Sequence, residues 1–173
     1  MSVKIVFTAS KFPLAKLIRW ATKGRASHAM ILYDDPVWGG QWVAQATVGG
    51  VKMLPAEKVL HNVAAVFECK FDAAPALQAI RQHVGDGYDY AGLLYFGWAI
   101  LVWRLFRRKI RRPLRKSSEE FCSEFVAMFL AAAEKLNKVP LLEGLWENPE
   151  RNDPETLMKV LEKYPAQFER CTI

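Results

Sequence analysis

Between residues 3 and 71 the chain is cut into short β-branched and aromatic runs by turn residues, and after Asp72 the apolar spacing changes to that of helices. VKIVFTA (3–9), HAMILY (28–33), QWVAQAT (41–47), VKMLP (51–55) and VAAVFECKF (63–71) read as strands. DDPVWGG (34–40) and Gly49-Gly50 supply the turns between them. Pro13 suits a helix start, followed by Leu14, Leu17, Ile18 and Ala21 at helical spacing and by Gly24 as a stop. Strands gathered early and the strongest helices placed late predict an α+β fold in a single domain spanning 1–173.

The later half is helical in pattern. Asp72 can cap a helix over 73–84, closed by Gly85 and Gly87. Ser117 and Glu120 have capping-box spacing and open a helix whose stripe is Phe121, Phe125, Val126, Phe129 and Leu130. A last helix begins at DPETLMKVLEKY, with Asp153 as cap and Pro154 at its first position. A chain of 173 residues buries roughly two thirds of its unfolded surface, so it needs no covalent staple. Cys69, Cys122 and Cys171 are an odd set without close spacing, which suggests neither a disulfide framework nor a metal site, and no cofactor motif is found.

The charge of +6 is concentrated, with seven of the 24 Lys and Arg in RRKIRRPLRK (107–116). Before it stands AGLLYFGWAILVWRLF (91–106), which falls short of the roughly 20 residues that span a bilayer. This apolar and basic insert, about 91–116, reads either as a buried helix or as an interfacial one. In the second case Trp98, Trp103, Arg107, Arg108, Arg111 and Arg112 would meet an anionic membrane. Nucleic acid is disfavoured as a partner, because no recognition motif or interleaved aromatic platform accompanies the basic run. The opening residues show no signal-peptide pattern, so the expected location is cytoplasmic, with peripheral membrane contact possible through the insert.

Cys122 stands near the start of its helix, where the dipole favours a thiolate, but with Ser117 as cap it falls in the second turn, where that effect has weakened and a histidine must do most of the activation. A thiol needs a base and an orienting group beside it to act as a nucleophile. Of the three histidines, His83 reads as a surface residue in the 73–84 helix and His61 as a loop residue, whereas His28 opens a strand. If 28–33 and 41–47 pair across the 34–40 turn with indices summing to 73 or 74, His28 faces Gln45 or Ala46. Gln45 can then hold the imidazole by a hydrogen bond. Cys122, His28 and Gln45 are the candidate nucleophile, base and orienter.

These segments resemble the circularly permuted papain-like hydrolases of the NlpC-type superfamily, the branch that includes lecithin:retinol acyltransferase-like proteins. IVFTASKFPLAKLIRWATKGRASHAMILY is similar to that family's opening strand, helix and histidine strand, and WVAQATVGGV to the segment bearing its third polar residue. GDGYDYAGLL is similar to the tyrosine lead-in, FCSEFV to the cysteine helix, and NDPETLM to the closing helix start. The resemblance implies an antiparallel sheet or half-barrel packed against helices. It implies Cys122 as nucleophile, His28 as base, Gln45 as third polar residue, where many relatives carry Glu or His, and Tyr88 as a substrate-side or oxyanion-side hydroxyl. The expected activity is a thiol hydrolase acting on a peptide or amide bond, with an acyl-lipid acyltransferase or an inactive membrane-binding module as the alternatives.

Overall fold

The computed structural model describes residues 2–11, 15–16, 19–20, 24–47, 49–86, 122–137 and 153–173. Five strands fall where the turn signals divide the early chain: β1 (Val3–Thr8), β2 (His28–Asp34), β3 (Gln41–Thr47), β4 (Gly50–Pro55) and β5 (Val63–Cys69). The described positions of the expected first helix, 15–16 and 19–20, are helical. α1 (Ala74–Ile80) begins beside Asp72, whose carboxylate accepts the Ala74 N–H at 3.2 Å. It tightens into a 3₁₀ turn, Arg81–His83, and Gly85 then takes φ 97°, a left-handed conformation that glycine adopts without strain. His83 is therefore in that turn and not in mid-helix, and it is half-buried, with Nδ1 2.9 Å from Asp86.

α2 (Cys122–Asn137) and α3 (Pro154–Glu162) are the two later helices. Asp153 caps α3 as its sequence predicts, accepting the Glu155 and Thr156 N–H groups at 3.0 Å each. Tyr88 and the 91–116 insert, with Trp98, Trp103, Arg107, Arg108, Arg111 and Arg112, lie outside the described residues, as do Phe121 and the Ser117/Glu120 pair.

The strands form one open antiparallel sheet in the order β4-β3-β2-β1-β5-β6. Its last member, β6 (Phe168–Cys171), has no counterpart in the sequence reading. It pairs with the outer side of β5 and turns Phe168 inward against Phe71.

β1 and β2 read as nearly unbroken apolar runs because both faces of the sheet are covered. On one face Ile5, Phe7, Ile31 and Phe67 join the helices, including α2 residues Phe125, Val126, Phe129 and Leu130, all fully buried. On the other, Val6, Met30, Leu32, Val43 and Val66 pack with Ala56, Val59 and Leu60 of the β4–β5 connection. Each large buried side chain contributes about 1.5–3 kcal/mol. The α2 stripe thus fixes the helix on the sheet and sets where Cys122 lies.

Candidate active site

The β2–β3 hairpin carries different structures at its two ends. At the turn end, residues Ile31–Asp34 pair with Gln41–Ala44. The paired indices sum to 75 and not to 73 or 74, so the same register extended would set His28 across from Thr47. Gln45 is then a diagonal neighbour, within reach of a long side chain. The ladder ends at Ile31 and Ala44, and beyond it the His28 Nε2–H donates to Gln45 Oε1 at 2.8 Å. An amide oxygen can only accept, so Nε2 carries a hydrogen and Nδ1 is the ring nitrogen left for a second partner.

That partner is Cys122, which hydrogen-bonds the imidazole from the first described residue of α2. Burial pushes the Cys122 thiol up. The positive charge of His28 opposes this, together with the hydrogen bond to the ring and the Ala29 and Ser123 backbone N–H groups that donate to the sulfur, and the thiol is held below its ordinary value. Burial likewise disfavours the charged imidazole. The Cys122 charge and hydrogen bond, and then the bond to Gln45, outweigh it and raise the His28 pKa. Both directions favour a thiolate–imidazolium pair. Cys122 is 7% exposed and His28 half-buried, so the pair is recessed.

Cys69 shows the contrast. Burial first, and then the neighbouring Glu68 carboxylate, pushes its thiol far up. Of these two sulfurs, the structure prepares only Cys122 as an anion.

The structure therefore brings together Cys122, His28 and Gln45, the three residues chosen from sequence, while Tyr88 is not among the described residues. Sequence reasoning missed the amides of Ala29 and Ser123, which follow the histidine and the cysteine in the chain. With the helix read as opening at Ser117 and Glu120, the Ser123 N–H falls past the first turn and would be spent on an intrahelical carbonyl, so nothing in the sequence pointed to it. Among the described residues no three His, Cys, Asp or Glu side chains converge where a metal ion could be held. No helix among them is long and apolar enough to cross a membrane.

Compared with known proteins, the chain matches no protein-family model and no curated protein.

Proposed function

We propose that the chain is a thiol-dependent hydrolase of permuted papain-like fold, acting on an amide or peptide bond. The observation that carries this reading is the Cys122–His28–Gln45 line, in which the thiol pKa is lowered and the ring that lowers it is held at 2.8 Å by a buried amide. The Cys122 thiolate attacks the substrate carbonyl carbon, forming a C–S bond and placing the negative charge on the carbonyl oxygen. His28, protonated at Nδ1, gives that proton to the leaving amine as the C–N bond breaks, and a thioester remains on Cys122. Water then loses a proton to His28 and adds to the thioester carbonyl, and the C–S bond breaks to regenerate the thiolate. The Cys122 N–H is the proposed oxyanion donor, with the Tyr88 hydroxyl proposed as a second one, and a donor of this kind lowers the barrier by about 3 kcal/mol.

Gln45 orients the ring without adding charge, so the imidazolium is stabilised mainly by the thiolate itself. This suits a resting ion pair that is consumed on acylation. Incubation with muropeptide, simple amide and phospholipid donors, followed by mass spectrometry, tests the reading. A donor-dependent acyl mass on Cys122, absent in Cys122→Ala, is expected. Labelling only by phospholipid would transfer the reading to an acyl-lipid transferase, and no acylation by any donor would reject it. Liposome flotation with and without residues 91–116 tests the proposed contact with an anionic membrane, and equal flotation would dismiss it.

A further inference from the structure

Glu155 is a first-turn acid that is covered almost as fully as the core. It lies in the first turn of α3 with 4% of its surface exposed, and carboxylates are rarely so covered unless paired. Its partners are Arg25, on the segment leading into β2, and Lys159 of its own helix. The Arg25 backbone N–H donates to Oε2 at 2.6 Å, the Arg25 Nε is 3.7 Å from Oε1, and Lys159 Nζ, one helical turn on, is 3.4 Å from Oε1. Arg25 Nη2 reaches on to Glu162 at 3.0 Å, and Glu162 also stands 3.5 Å from Arg170. The shortest of these bonds is made to main chain, so what Glu155 holds most closely is the path of the backbone.

That path has little slack. Ala26 is fully buried. Ser27 is tied to β1 by its N–H, which donates to the Thr8 carbonyl at 2.9 Å, and its hydroxyl accepts the Ser10 N–H at 3.2 Å. The next residue is His28, already paired with Thr8. Two residues, Ala26 and Ser27, separate Arg25 from His28, and each is constrained.

We infer that Glu155 is a positioning residue for His28. Acting through Arg25–Ser27, it sets where β2 begins and so the angle at which the ring meets the Cys122 sulfur. The inference rests on the reading of Cys122 and His28 as a reactive pair. A clamp that served stability alone would hold α3 to the rest of the fold without affecting the thiol.

The two roles separate in the rate of Cys122 alkylation by iodoacetamide, measured on the full chain across pH well below each variant's melting temperature, with the labelled residue identified by mass spectrometry. Glu155→Gln keeps an oxygen for the Arg25 N–H and is expected to stay within about twofold of wild type. Glu155→Ala should slow alkylation at pH 7 by about fivefold or more and move its pH profile upward, toward that of an ordinary thiol. Arg25→Pro, which removes the N–H itself after a permissive Gly24, should slow alkylation and move the profile upward in the same way, and it carries the test where Glu155→Ala does not fold. Arg25→Ala keeps the amide and should leave the profile in place. A lowered melting temperature with an unchanged pH profile in Glu155→Ala, or in Arg25→Pro, overturns the inference and leaves the reactive pair standing. Wild-type Cys122 labelling no faster than Cys69 and Cys171 overturns the reactive pair, and this inference with it.

Discussion

The two ends of the β2–β3 hairpin both bury polar groups, but to opposite effect. At the turn end the Asp35 carboxylate, 4% exposed, is met entirely by donors: the Val37 and Trp38 N–H groups at 2.8 and 2.9 Å, and Arg81 at 3.1 Å. The Trp38 N–H is the main influence holding its pKa down. Burial opposes this, and Val37 and Arg81 add to the lowering. At the open end, Gln45, His28 and Cys122 are also hydrogen-bonded, but one of the partners is a thiol whose proton can move to its neighbour. The difference teaches that satisfaction alone does not separate a structural polar cluster from a reactive one. What separates them is whether the charged form is simply held or is shared between two titrating groups.

The sharpest way to break this comparison is His28→Ala. Without the imidazole, burial is left as the leading influence on the Cys122 thiol, so its pKa should rise above the ordinary range and alkylation at pH 7 should drop at least about tenfold. In the wild type, reactivity should persist at neutral pH and fall only as the pH passes down through the lowered thiol pKa. Next in size, Gln45→Ala leaves a buried Nε2–H without its acceptor, and a loss of about three- to tenfold in alkylation rate is expected, equivalent to roughly 1 kcal/mol. Retention of the full rate would remove Gln45 from the site.

At the turn end the readout changes from reactivity to stability. Asp35→Ala should cost about 2 kcal/mol, or about 4–8 °C in melting temperature, while the Cys122 alkylation profile stays fixed. A shifted profile would show that the two ends are coupled. Because the folded Asp35 pKa is lowered, its contribution is present above the ordinary carboxylate range and is lost as the pH falls through the folded value. The stability gap between wild type and Asp35→Asn, measured by urea unfolding, should therefore narrow below about pH 4. The smallest effect belongs to Arg81→Gln. The guanidinium is 43% exposed, so solvent screening limits its ion pair with Asp35 to under about 1 kcal/mol.

The sheet and the reactive residues were legible for different reasons. Strands β1 to β5 announced themselves through β-branched runs and turn residues, which are local signals. His28 was legible because it opens a strand, Cys122 because it lies near a capping signal at the head of an amphipathic stripe, and Gln45 remained identifiable despite the shifted register because a diagonal pair lies within its reach. What stayed hidden depends on distant partners. DDPVWGG reads as a polar turn, and nothing local says that Asp35 is covered and bound by an arginine 46 residues away. Glu155 looks like ordinary first-turn acid on a capped helix until Arg25, 130 residues earlier, is placed against it. β6 is only four residues long with two charges, too short and too polar to read as a strand until β5 offers it a partner.

That short strand has a consequence for the molecule's behaviour in concentrated solution. β6 covers the outer hydrogen-bonding side of β5, whose Val66 and Phe67 are almost wholly shielded, and Lys70 and Glu169 pair across the same seam. Clipping the chain before Phe168 would bare a row of backbone donors and acceptors beside an apolar strip, which is a template for chain-to-chain stacking. Tailward proteolysis would then first reveal itself as turbidity, ahead of any change in the chemistry of the sulfur.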